Sequence, residues 1–359
     1  MFSFLIKRIL YGLLVLFGVV TAVFFLFNNL SGDPAQMMMG QRSDVSSIET
    51  INKDLGRNFP LHKQYFMYLN DISPISFFQF KEGDGPFIFD ESKHGTVNPI
   101  IKTKNGNAIV FKKPYLRRSY QSGKKVSQII YEALPGTAIL ALAAIIIATL
   151  IGISLGVWTS LHHNTFSDRF WVFVSILGMA VPSFFASIII AWLFGYVFSD
   201  ITGLNMTGSL YAVDPFKGES LQLKNLILPA LTLGIRPLAI IVQLTRNSML
   251  DVLSQDYIRT ARSKGLSKNK IVWKHAIKNA LNPVITAISG WFGSLLAGAV
   301  FVEYIFGWKG IGKLTIDALD TFDFPVVMGA VLVVSFFFII INILVDIVYG
   351  IIDPRIRLQ

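Results

Sequence analysis

Between Asp256 and Lys278 the chain carries Arg259, Arg262, Lys264, Lys268, Lys270, Lys274 and Lys278 against a single acid, Asp256. Such a set holds no nucleophile and no proton relay. Its chemistry is electrostatic: pairing with acidic residues of a partner protein, or with anionic lipid headgroups at a membrane surface. Ala261 and Gly265 lack bulk, so a partner surface has room to approach there. Arg236, in LPALTLGIRPLAIIV, is a cation inside an apolar run. At a bilayer centre it costs at least ~2.5–3.5 kcal/mol, so it has to face protein or a water-filled path. An internal ion pair or snorkelling to the interface is the competing account. Glu303 and Asp346 are the other acids in apolar surroundings. His162-His163 and Met37-Met38-Met39 are candidate metal ligands by type. Adjacent histidines do not easily face one ion from a helix, and a methionine run more often forms an adaptable apolar patch. No Ser/His/Asp triad, paired carboxylates or phosphate cradle is apparent, so catalysis is not indicated.

These residues are positioned by membrane helices. The 359 residues are 53% hydrophobic and 15% charged, well below the roughly 25% charge of soluble domains. Six apolar runs, 9–30, 133–161, 170–198, 226–250, 283–306 and 325–352, approach or exceed the ~20 residues that cross a bilayer. None alternates as a barrel strand does. The first run is too long for a signal-peptide core, and no cleavage-like site follows, so it reads as a retained helix. Six crossings put both termini on one side. Lys7 and Arg8 at one end, Arg355 and Arg357 at the other, and the basic 251–280 loop make that side cytoplasmic. The net charge of +10 then follows from topology and anionic lipid, and no nucleic-acid partner is expected. The chain has no cysteine, hence no disulfide and no thiolate site.

The segment 31–127 is basic but long, and long loops escape the charge rule, so it reads as external. LGRNFPLHKQYFMYLNDI is expected to be helical after Pro60, and 73–114 to hold a hairpin or two, with β-like runs PFIF and AIVF. In the 251–280 loop Gly265 should end one helix and Ser267 should cap the next. The small residues Gly290, Gly293, Ser294, Ala297 and Gly298, beside Trp291-Phe292, suit close helix packing in lipid.

The stretch YIRTARSKGLSKNKIVWKHAIKNALNPV resembles the cytoplasmic signature of ABC-importer permeases, in the dipeptide/oligopeptide/nickel branch. LIKRILYGLLVLFGVVTAVFFLFNNLSGDP, PLHKQYFMYL, LPGTAILALAAIIIATLIGISLGV, GMAVPSFFASIII, LILPALTLG, LTRNSMLDVLSQDY, VEYIFGWKGIGKL and DFPVVMGAVLVVSFFFIIINILVDIVYGIIDPRIR extend the likeness over the chain outside about 73–111. Two departures stand out. Arg259, Thr260 and Ala261 occupy the places where the family-wide loop begins Glu-Ala-Ala, and Trp308-Lys309-Gly310 replaces the branch's Trp-Pro-Gly. The resemblance implies an all-α polytopic membrane protein: six transmembrane helices in the type I ABC-importer permease fold, with a long external loop between helices 1 and 2. It divides the chain into 1–30 (terminus and first helix), 31–127 (external loop, insertion at 73–111) and 128–359 (permease core with the coupling loop 251–280). It implies a transport subunit, not an enzyme, in the bacterial inner membrane, moving peptides or, alternatively, nickel or another small solute. A secondary transporter is the reading from another class. The implied partners are a second permease, two cytoplasmic ATPases, an external solute-binding protein and lipid. ATP and Mg would sit on the ATPases, and no cofactor in this chain. The implied coupling residues are Asp256, Tyr257, Arg259, Thr260, Ala261, Lys264, Gly265 and His275; Arg236, read from its own setting, would contact a peptide's carboxylate or the translocation path. Asp346, in NILVDIVYG, falls on a family position where a structural role is expected.

Overall fold

In lipid every backbone group has to bond within its own segment, so the long apolar runs become helices. A computed structural model describes residues 2–30, 56, 58–80, 85–103, 106–214 and 218–352. Met37–Met39, Arg355 and Arg357 lie outside the described residues. In chain order the main helices are α1 (Phe2–Leu30), α2 (Leu61–Ile72), α3 (Val126–Leu161), α4 (Phe166–Ala180), α5 (Ser183–Trp192), α6 (Lys224–Leu253), α7 (Asp256–Ser263), α8 (Asn282–Gly298), α9 (Val300–Phe306), α10 (Ile311–Asp320) and α11 (Phe324–Ile352). The strands are β1 (Ile75–Gln79), β2 (Asn98–Lys102), β3 (Asn107–Phe111), β4 (Tyr211–Asp214) and β5 (Gly218–Leu221).

Among the described residues four helices, α1, α3, α6 and α11, are long and apolar enough to cross a membrane alone. The runs read as spans three and five are each bent. Phe166–Ala180 and Ser183–Val197 meet at 113°, and Asn282–Leu296 and Val300–Phe306 at 59°. The expectation of six spans therefore becomes four long helices, or up to six if each bent pair is one span. The sharper break has a local cause. Pro182 cannot donate to the ladder and forces Val181 out of the helical region, to ψ 127°. The all-α expectation holds for the apolar runs, not for the whole chain. AIVF forms the end of β3, as expected, but PFIF makes only an isolated bridge at Ile88 to Gln79. The β4–β5 hairpin was not expected at all.

The chain divides into two compact units. One comprises Met1–Ile9, Leu134–Lys313 and Phe336–Gln359. Its centre is the crossing of α3 and α6. A Cβ on Gly152 would lie 2.7 Å from Ile241 Cγ2, and one on Gly156 would lie 2.5 Å from Thr245 Cβ. This i, i+4 pair of glycines lets two backbones approach as only small residues permit in lipid, where no hydrophobic force drives helices together. Gly293 of α8 likewise sits against Phe338 and Ile341 of α11, whereas Gly290 meets nothing within 4 Å. Arg8 and Asp346 form an ion pair at 2.9 Å, in keeping with a structural role for Asp346.

The other unit comprises Leu10–Ala133 and Leu314–Ser335. Here α2 packs on the last turns of α1 through Val20, Val23 and Phe24 against Tyr68, with Met328 and Leu332 of α11 completing the cluster. The strands form an antiparallel sheet in the order β1-β3-β2, with Phe77 opposite Ile109. Phe78, Ala108 and Val110 fill its inner face. Asp71 gathers His94 at 3.3 Å and Arg117 at 3.7 Å, while the Lys112 ammonium donates to the Asp71 carbonyl at 2.5 Å. Burial pulls the Lys112 ammonium down from 10.5 to about 8, opposed by the Asp71 charge.

Two outcomes follow from this packing. Gly156→Leu should destabilise the purified chain by about 1–3 kcal/mol or more through overpacking and so lower its thermal midpoint, while Gly290→Leu leaves the midpoint unchanged. Because folded Lys112 releases its proton before the unfolded chain does, the unfolded state binds more protons between pH 8 and 10.5. Stability from this group therefore rises with pH across that window. The protection factors of the β3 amides, corrected for the intrinsic rise of exchange with pH, should increase across it, and Lys112→Met should remove that slope.

Candidate functional site

The basic loop is a helix, a glycine turn and a second helical run, as its residues suggest. α7 ends at Ser263, and Gly265 follows at φ 76°. The Leu266 N–H donates to Ala261 O at 3.3 Å and the Gly265 N–H to Arg262 O at 2.9 Å. This double closure needs a left-handed residue at Gly265, which glycine adopts without the Cβ penalty. Ser267 occupies the cap position before Lys268 but its side chain makes no cap bond. The helical run that follows includes a π-helical turn, Ile271–Ala276.

The two faces of α7 differ. Ile258 and Ala261 are buried with Val157 of α3, Met249 of α6, and Ile271, Val272 and Ala276 beyond the turn. Asp256, Arg259, Thr260, Lys264 and Gly265 are exposed on the other side, and Tyr257 is 42% exposed. Ala261 is therefore not open to a partner, contrary to the reading of its small side chain. Its size serves this chain's own close packing. Asp256 and Arg259 pair at 3.4 Å. Asn279 Nδ2 donates to the Tyr257 hydroxyl at 2.9 Å, tying α7 to the helical run after the turn. His275 is half-buried. Trp273 is 69% exposed among these cations. Its exposure was hard to read, since an indole at helical spacing normally points inward.

Arg236 lies on α6 and is exposed, with no hydrogen bond or ion pair to the described residues. The stronger charge pairing on this helix is at Arg246. Its Nε donates to Asp168 Oδ1 at 2.6 Å and its Nη2 to Asp168 Oδ2 at 2.8 Å. Asp168 is buried on α4 and also accepts the Asn164 N–H at 3.0 Å. Arg246 Nη2 is 3.0 Å from His163 Nδ1, and His162 stacks on Trp158 with ring centroids 4.3 Å apart. The histidine pair is thus divided between two neighbours. Among the described residues no group of three His, Cys, Asp or Glu side chains could hold a metal ion.

Glu303 is fully buried on α9. Its carboxylate accepts from the Thr137 hydroxyl at 2.7 Å, the Gly312 N–H at 2.7 Å and the Lys313 N–H at 3.1 Å. Trp308, also fully buried, donates its indole N–H to Gly136 O at 2.9 Å. The 307–313 turn is therefore latched to α3.

Residues 148–358 match the family described as binding-protein-dependent transport system inner membrane component, and residues 1–88 match its N-terminal companion. The chain belongs to this family. Among its relatives, a dipeptide transport system permease protein of Alkalihalophilus pseudofirmus is 31% identical over 99% of this chain and 100% of the relative. A di/tripeptide transport system permease protein of Pseudomonas aeruginosa is 34% identical over 100% of both. A glutathione transport system permease protein of Salmonella typhimurium is 32% identical over 99% of both. This is a polytopic bacterial inner-membrane protein and a transport permease subunit.

Within the permease, the Asp168–Arg246 pair supports the junction of α4 with α6. Asp168→Ala strands a guanidinium in a mostly buried setting and should destabilise the protein by about 3 kcal/mol. Adding Arg246→Met should recover most of that loss in a thermal unfolding assay in detergent.

Proposed function

We propose that this permease moves peptides across the inner membrane, driven by ATP hydrolysed on two cytoplasmic partner subunits and delivered through α7. The family membership and the relatives named for dipeptides, di/tripeptides and glutathione support peptides over nickel as cargo. The observation that carries coupling is the two-faced α7. Its basic outer side suits an acidic groove, and its inner side is embedded in a core shared with α3 and α6. A push on the outer face has to move those spans with it. The chain supplies a two-state element, and the partner supplies a ligand that binds its states unequally.

The rest of the assembly follows from this reading. Six crossings place both termini and the 251–280 loop in the cytoplasm and 31–127 outside, before a permease core at 128–359. A second homologous permease completes the path, an external solute-binding protein delivers cargo, and lipid surrounds the whole. ATP and Mg stay on the ATPases. Arg236 faces the path between the two permeases, where its charge meets water rather than lipid.

Charge reversal on the outer face tests the coupling. In a complex carrying Arg262→Glu with Lys264→Glu, capture of the ATPase subunits by tagged permease should fall at least tenfold, and uptake should fall with it. Undiminished capture would remove α7 as the docking site. ATP-independent uptake by this chain alone in proteoliposomes would favour the secondary transporter instead.

A further inference from the structure

The uncovered faces of membrane helices report what they meet, because hydrocarbon accepts apolar side chains and rejects polar ones. On α1, α3, α5 and α11 the uncovered residues include Leu13, Leu14, Leu150, Ile188, Phe336 and Leu344, as lipid requires. α6 departs from this pattern. It is the least apolar and most buried of the four long spans. Along one face it carries the exposed Arg236 and Asn247, with Ile240 and Gln243 half-buried between them. The steps of four, three and four residues put them on one face of a helix, and three of the four are polar.

Their polar groups are largely unspent on this chain. Arg236 has no polar partner among the described residues. Gln243 donates to Met179 Sδ at 3.5 Å, a weak acceptor, and Asn247 accepts from Arg246 Nη1 at 3.2 Å. Arg236 lies about 18 Å from one end of α6 and about 26 Å from the other at 1.5 Å per residue.

We propose that Arg236 holds the free C-terminal carboxylate of a peptide in mid-passage, with the amides of Gln243 and Asn247 as partners for its peptide groups. This deepens the peptide-permease reading and rests on it. The guanidinium fork matches a carboxylate in a bidentate way that no peptide amide reproduces. Gln243 stands about 10 Å along the helix from Arg236. An extended tripeptide is about 10 Å long. A carboxylate at Arg236 therefore leaves the backbone of a short peptide within range of Gln243, and Asn247 continues the same line. Carboxamide side chains can donate and accept, so they pair with any peptide group whatever its side chain.

The test uses the complete complex in proteoliposomes, with its binding protein, and compares uptake of radiolabelled trialanine with uptake of trialanine amide. Any preference due to the binding protein is common to all permease variants, so only changes in the acid-to-amide ratio report on Arg236. Wild type should favour the acid at least tenfold. Arg236→Gln should lower the ratio about tenfold by slowing the acid while the amide is unaffected. Arg236→Lys keeps the charge and loses the fork, and should lower it about threefold. ATP hydrolysis and subunit co-purification report assembly of each variant. An unchanged ratio in the variants that assemble overturns the proposal. So does equal loss of both substrates with hydrolysis intact, which marks Arg236 as structural. A wild-type complex that imports neither substrate overturns the peptide reading itself, and the proposal with it.

Discussion

The contact between α3 and α6 governs the helical unit. Two spans in lipid gain nothing by hiding apolar surface from water, because none is there. They hold together by surface fit, and Gly152 and Gly156 make that fit by letting Ile241 and Thr245 sit against backbone. With α6 fixed along one side by α3, its other sides take separate duties. One receives α4 through Asp168 and Arg246. Its C-terminal end shares a core with α7. One face keeps Arg236 and Asn247 exposed.

Buried charge follows the same economy of partners. Asp168 and Glu303 are both almost fully enclosed, yet each carboxylate receives at least three hydrogen-bond donors. Enclosure without such partners would cost several kcal/mol. Both acids join segments far apart in sequence, Asp168 to Arg246 and Glu303 to Thr137. They fix where helices meet, which apolar packing in lipid specifies poorly.

What the sequence made legible depended on the range of the interaction. The long apolar runs were plain because bilayer thickness writes their length into composition. The helix–glycine–helix form of the basic loop was plain because Gly265 needs only its own backbone to act. The bend at Pro182 was readable in principle, yet continuous hydrophobicity on both sides masked it. GISLG is a small-residue pair at helical spacing, the local signal of the close approach at Gly152 and Gly156. The β4–β5 hairpin lacks apolar alternation, so it left none. The Asp168–Arg246 pair spans 78 positions, and no local pattern joins them. Ala261 shows the ambiguity of a small side chain, which can admit a partner or this chain's own core.

The closure after α7 uses two backbone bonds and one glycine, with no side-chain cap. Reversal of the chain there is consequently independent of the side chains displayed around it. Arg259, Arg262, Lys264 and Lys268 can be exchanged without refolding the turn that presents them. On the coupling proposed for α7, such a permease could be re-matched to a different partner by substitutions on a fixed face, so partner choice and turn geometry are free to evolve separately.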